Sequence, residues 1–333
     1  MARDNRIDSL KGLLIILVIL GHVITSLNNV NVVNHAVMGL IYVFHMPLFI
    51  LISGYLTKSP GRQSSGEMWR GVANILITLV IFQLLYSIWV IFYGIDFMVA
   101  LKLFPQGVLW YLLSLAYWKI LLHYTPAPLL NRPALYLAIA LAVSVLSGLT
   151  RLGNFMSLQR TMNFYVFFLL GYYYRQGMLN RRWWSNNVLH GGIVLVALPL
   201  ILWLFPRCGN VMNGADHYPL SGIPEKMLIL TCSIAMSLLV FNLVKDNSLL
   251  RRIGKDSMFY FLFHTLLVDG ILRYGKINYG LPTTLPFILL YTALVVAALM
   301  ALSRVKFLKW FTGPMIKRRP SPADQDVQER QGR

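Results

Sequence analysis

The chain has 333 residues, 57% of them hydrophobic and only 13% charged, with 30 Lys and Arg against 12 Asp and Glu for a formal charge of +18. Soluble domains run near 25% charged and 45–50% apolar with glycine included, whereas this chain reaches about 64% on that definition. It cannot cover a water-facing surface, so a soluble fold is excluded, and the same apolar content excludes disorder. Cys208 and Cys232 are too few for a disulfide framework and stand in no metal-ligand spacing.

A helix needs roughly 20 mostly apolar residues to cross a bilayer. Ten segments are predicted to do so: 9–27, 36–56, 71–93, 107–122, 133–150, 155–174, 188–206, 226–244, 257–273 and 281–303. The first continues past Leu20 with no small-residue cleavage pattern, so it reads as a span and not as a signal peptide. The third and tenth carry no Asp, Glu, Lys, Arg or His. The fourth ends in Lys119 and His123, which must snorkel, and the sixth is charge-free only between Arg160 and Arg175. The expected fold is all-α: a polytopic membrane domain over 1–305, then a basic, disordered cytoplasmic tail over 306–333.

Ten spans put both termini on one side. Lys and Arg divide 23 to 7 between alternate loops, and the richer side holds both termini, which makes it cytoplasmic. Basic residues set between long apolar runs are membrane-loop charges, so nucleic acid is not an expected partner. No internal repeat suggests an inverted-repeat transporter.

Ionisable residues inside a bilayer are expensive and mark sites by default. His22 lies roughly 20 Å along the first span, and His45 roughly 13 Å into the second from the other side, so the two imidazoles sit at similar depth. His264 lies in the ninth span. No carboxylate accompanies any of them in sequence, so no metal is expected. His45 also has a structural reading, since it stands beside Pro47 and a ring nitrogen can satisfy carbonyls freed by the proline. Asp269 is the acid within the spans; it reads as an acceptor-side group or as a partner of Arg273 one turn on.

Short strings surround these residues. Asp8-Ser-Leu-Lys11-Gly12 leads to Gly21-His22, with Lys11 and His22 three turns apart on one face. Phe44-His45-Met46-Pro47-Leu48-Phe49 is followed by Ser53-Gly54-Tyr55-Leu56, whose glycine reads as a close-packing helix end. Trp110-Tyr111-Leu112 opens the fourth span, and Gly171-Tyr172 closes the sixth. Gly254-Lys255-Asp-Ser257 opens the ninth, with Ser257, Tyr260 and His264 on one face. Asp8 reads as the cap of the first helix, with holding Lys11 in place as the alternative.

In this order, over roughly residues 3–303, the strings resemble the acyltransferase-3 family of integral membrane O-acyltransferases, in particular its fucose 4-O-acetylase-like branch. The resemblance implies transfer of an acetyl or other acyl group from cytoplasmic acetyl-CoA to a sugar hydroxyl of an envelope glycan, in a bacterial cytoplasmic membrane. The family's basic residue before the first-span histidine matches Lys11. Much of the family has arginine there, and lysine keeps the charge but loses the bidentate fork. The family's Arg-x-x-Arg after the second span is reduced here to Arg70.

The residues fit that chemistry. An alcohol attacking a thioester needs a base and a stabiliser for the oxyanion, and His is the side chain whose protonation suits the first task. His22 is assigned as general base, with His45 and the Tyr260–His264 pair orienting the donor or stabilising the oxyanion. CoA phosphates require cations, and Lys11 and Arg70, with Ser257 and Tyr260, form the expected cofactor set; Lys58 and Lys255 are also available on that side. Trp110 reads as a sugar-stacking group or as part of an interfacial aromatic belt. The loop 206–224, with Asp216, His217 and Tyr218, is a candidate glycan contact. The competing function is a transporter or flippase for a lipid-linked sugar, which the scarcity of prolines inside spans argues against.

Overall fold

The computed structural model describes residues 4–27, 32–91, 105–215 and 217–316. Among them there is no strand. The principal helices are α1 (Asn5–Ser26), α2 (Val32–Leu56), α3 (Ser65–Ile91), α4 (Trp110–Tyr124), α5 (Pro133–Ser147), α6 (Leu158–Arg175), α7 (Asn187–Asn213) and α8 (Ile223–Leu243). They continue with α9 (Ser248–Lys255), α10 (Ser257–Thr265), a π-helical stretch (Leu266–Leu272), α11 (Arg273–Tyr279) and α12 (Leu285–Leu302). Each of the ten expected segments contains a helix, but that of the fifth stops at Ser147 and that of the tenth starts only at Leu285; positions 92 and 93 of the third lie outside the described residues. Five helices are long and apolar enough to cross a membrane: Asn5–Ser26, Val32–Leu56, Ser65–Trp89, Leu220–Leu243 and Leu285–Leu302.

The exposed faces show what solvent the fold was built for. On α3, Leu76, Val80, Leu84 and Ile88 recur every fourth residue and are all exposed. Leu135, Ile139, Val143 and Leu146 form a second exposed stripe on α5, and Leu289, Leu290 and Leu294 a third on α12. Apolar helical stripes of this length facing outward are incompatible with water and match lipid. The chain is a polytopic membrane protein.

Helix α1 runs through the middle, with Leu14, Ile15, Val18, Ile19 and Val23 all buried. Its start differs from expectation. Asp4, not Asp8, caps it, accepting the backbone N–H groups of Arg6 at 2.9 Å and Ile7 at 3.4 Å. Asp8 lies one turn inside the helix, too far from the free N–H groups to cap them, and pairs with Lys11 Nζ at 2.8 Å. The Arg6 guanidinium donates to the carbonyls of Val244, at 2.9 Å, and Phe241. Ser9 donates to Asp246 at 2.9 Å. The N-terminus and the α8–α9 connection therefore share one end of the bundle.

Two helix crossings are set by glycines. A Cβ on Gly12 would overlap the Leu250 carbonyl of α9, and one on Gly254 would overlap the Asp8 carbonyl of α1. Likewise Gly54 of α2 faces the Phe168 carbonyl of α6, and Gly171 of α6 faces the Leu51 carbonyl of α2. Each crossing brings backbone against backbone from both sides, the close approach that small residues permit in membrane bundles.

Of the stretch 306–333, residues 306–316 are described: Lys306–Trp310 is helical, and the Ile316 N–H donates to Asn74 Oδ1 of α3 at 2.7 Å. The expected tail from 317 onward lies outside the described residues.

Candidate active site

The second half of α1, the middle of α2 and the start of α4 enclose a cavity of about 220 Å³. Its walls include His22, Tyr42, His45, Trp110, Arg160 and Phe261. The two histidines assigned similar depth from opposite helices thus meet in one space. His264, fully buried behind them, approaches His22 edge-to-face with ring centroids 5.0 Å apart. The structure brings all three histidines together.

Their hydrogen bonds fix what each ring offers. His45 Nδ1 lies 2.8 Å from the Ile41 carbonyl and His264 Nδ1 lies 3.0 Å from the Tyr260 carbonyl. A carbonyl only accepts, so in both neutral rings Nδ1 carries the proton and Nε2 is left as an acceptor. His45 does not reach the carbonyl that Pro47 frees, which is that of Val43 four residues before it; it reinforces the turn above. Neutral His45 therefore presents the cavity with an acceptor and no donor, which suits holding a hydroxyl and not stabilising an oxyanion. His264 Nε2 is buried with no hydrogen-bond partner, next to the His22 ring.

The donors in the cavity are residues that sequence reading passed over. Arg160 was counted only as a loop charge at the start of the sixth span. Here its guanidinium lies over the Trp110 ring, 5.1 Å from the centroid, and Arg160 lines the cavity with Tyr42. Trp110 is held in turn by Phe164, stacked at 5.5 Å. Tyr42 also stands beside His45, ring centroids 5.1 Å apart. The signal that could have found Arg160 is its place on the first turn of α6, one turn before Phe164, at the level where Trp110 begins α4.

The remaining predicted residues are dispersed. Asp269 lies in the π-helical stretch, accepts the Ser26 hydroxyl, and lines a separate hollow of about 530 Å³ with Thr25, Arg273 and Lys276. It makes no ion pair with Arg273, because the wider π turn moves residue i+4 off the face it shares in an α-helix. Lys11 is paired with Asp8, and Arg70 is half-buried on α3, so these two cations stand on different helices. Ser257 and Tyr260 are buried at the start of α10, in line with His264. Asp216 lies outside the described residues and His217 is exposed. Tyr218 is a structural group: it is buried, its hydroxyl donates to the Val145 carbonyl, and burial pushes that hydroxyl up to about 12.

The acyltransferase domain of the acyltransferase-3 family matches residues 4–304, which contain every group lining this cavity. The chain belongs to that family. The histidine cavity lies within that domain and is the candidate active site. The nodulation protein NolL of Sinorhizobium fredii (strain NBRC 101917 / NGR234) is 40% identical over 82 residues, which cover 24% of this acyltransferase and 22% of that protein. No solved structure matches the chain.

Proposed function

We propose that this acyltransferase moves an acetyl or other acyl group from cytoplasmic acetyl-CoA to a sugar hydroxyl on an envelope glycan, in a bacterial cytoplasmic membrane, with His22 as general base. The observation that carries the reading is one cavity shared by His22, His45, Tyr42 and Arg160. The acceptor hydroxyl gives its proton to His22 as its oxygen attacks the thioester carbon, while His45 Nε2, an acceptor, takes the hydrogen bond of a neighbouring sugar hydroxyl. The oxyanion that forms is met by Arg160 and Tyr42, donor-bearing residues of the cavity wall. The carbon–sulfur bond then breaks, and the leaving thiolate recovers the proton from His22. Protonated His22 has a second N–H, for which His264 Nε2 is the adjacent acceptor. Among the described residues no Ser or Cys lines the cavity, which favours direct transfer in a ternary complex over a covalent acyl-enzyme. The 23-to-7 charge division favours cytoplasmic termini, with CoA entering from that side.

The test is to incubate purified protein in nanodiscs with labelled acetyl-CoA and candidate glycans, following thioester consumption and label on the sugar. Transfer that requires His22, without label trapped on the protein, is the expected result. An acetylated side chain formed during turnover, or glycan movement without thioester loss, overturns it.

A further inference from the structure

The end of the bundle that holds the N-terminus contains a further cavity, of about 240 Å³, walled by Arg252, Asp256, Tyr260, Ser303, Arg304, Lys306 and Lys309. These come from three places in the chain: the last turn of α9, the start of α10, and the segment that follows α12. Four cations face one acid. Asp256 takes Lys309 Nζ at 2.7 Å, and no other carboxylate among the described residues lies within ion-pair distance of Arg252, Arg304 or Lys306.

Ordinary positive-inside charges stand apart along loops and point to water. Here they line one hollow, where like charges repel one another unless an anion lies between them. The floor is the Tyr260 ring, 2% exposed, whose hydroxyl is hydrogen-bonded to Ser303. Two guanidinium forks, two ammonium groups and hydroxyls are the donor set of a phosphate site. The volume is below the roughly 300–1,000 Å³ of a site that holds a whole drug-sized ligand, so it suits a phosphate with its sugar. Tyr260 also accepts the His264 N–H at 3.0 Å through its carbonyl, so the floor of this cavity and the histidine pair lie about 6 Å apart along α10.

We propose that this cavity binds the phosphates of a nucleotide, namely the nucleotide end of the acyl donor, an assignment that rests on the acyl-transfer reading above. The same chemistry would take an anionic lipid headgroup, so the test separates the two. Full-length protein is titrated with adenosine 3′,5′-bisphosphate. Separately, retention of phosphatidylglycerol against phosphatidylcholine is measured by native mass spectrometry. The Arg304→Gln/Lys306→Gln variant should bind the bisphosphate at least tenfold more weakly, while Arg181→Gln, an exposed cation outside this cavity, should bind it normally. His22→Ala should bind it as the wild type does. Loss of phosphatidylglycerol retention with unaltered bisphosphate affinity overturns the nucleotide assignment in favour of a headgroup. No change in either overturns the site. Bisphosphate binding that depends on Arg304 and Lys306 in a protein without thioester-consuming activity supports the cavity and sinks the acyl-transfer reading alone.

Discussion

The two halves of α1 follow opposite packing rules. Near its start, Gly12 lies against the Leu250 carbonyl and Asp8 against Gly254, so two backbones touch with no side chain between them. Ten residues further on, His22 borders a cavity of about 220 Å³ with a second histidine, a tyrosine and an arginine around it. Helix α2 repeats the contrast in the other direction, with His45 at the cavity and Gly54 jammed against α6. The difference shows that glycine and histidine in the same short strings do separate work. The glycine crossings hold the helices at a fixed distance, and space is left where His22, His45, Tyr42 and Arg160 line it.

The largest effect should come from the cavity half. His22→Gln keeps a hydrogen-bonding group of similar size but no base, and a lost general base costs about 10²- to 10⁴-fold in rate. The expected outcome is that loss in kcat with unchanged amounts of protein in the membrane. His264→Asn, which keeps a donor for the Tyr260 carbonyl but puts no acceptor at the position of Nε2 beside His22, should fall between this variant and the wild type. Turnover of His22→Gln above a few per cent of wild type would make His22 a helix-bridging residue and erase the contrast between the halves.

The packed half should fail in the opposite manner. Gly12→Val or Gly54→Val places branched carbons where a carbonyl oxygen already lies, and overpacking costs about 1–3 kcal/mol. The expected reading is a lower thermal midpoint and less folded protein, with kcat per folded molecule near wild type. A normal midpoint with lost turnover would show that these crossings act on the chemistry and not on the scaffold.

Much of this scaffold was legible because lipid imposes a simple rule: backbone groups must be satisfied within the helix, so apolar runs become helices. The depth match of His22 and His45 was likewise arithmetic on helical rise. What pattern could not supply is which faces meet. Arg160 looked like a loop charge because a flanking cation and a site cation have the same sequence context; only the position of Trp110 under its guanidinium tells them apart. Asp8 and Asp4 are both plausible caps by type, and the choice depends on where the first N–H groups fall. The π-helical turn at Leu266–Leu272 has no composition signal, yet it decides that Asp269 bonds Ser26 and not Arg273. The basic cavity joins residues some fifty positions apart, beyond any local spacing argument.

The smallest effect concerns how firmly the cavity half is held. Trp110 carries the Arg160 guanidinium at 5.1 Å and is backed by Phe164 at 5.5 Å and Tyr111 at 6.2 Å, so its role in the proposed reaction is to aim a cation rather than to touch the sugar. A cation–π contact is worth about 0.5–1 kcal/mol when exposed and about 2 when desolvated. Trp110→Ala should therefore lower kcat/KM by about two- to fivefold, mostly through kcat, because Arg160 acts on the oxyanion and not on the ground state. Trp110→Phe retains a π face of weaker potential and should lie between the two. Steady-state kinetics on the three proteins checks the order Trp, Phe, Ala. A rise in acceptor KM at constant kcat would mean that the ring contacts the sugar directly. Identical kinetics for all three would reduce Trp110 to a belt residue at the membrane interface and leave Arg160 without its support.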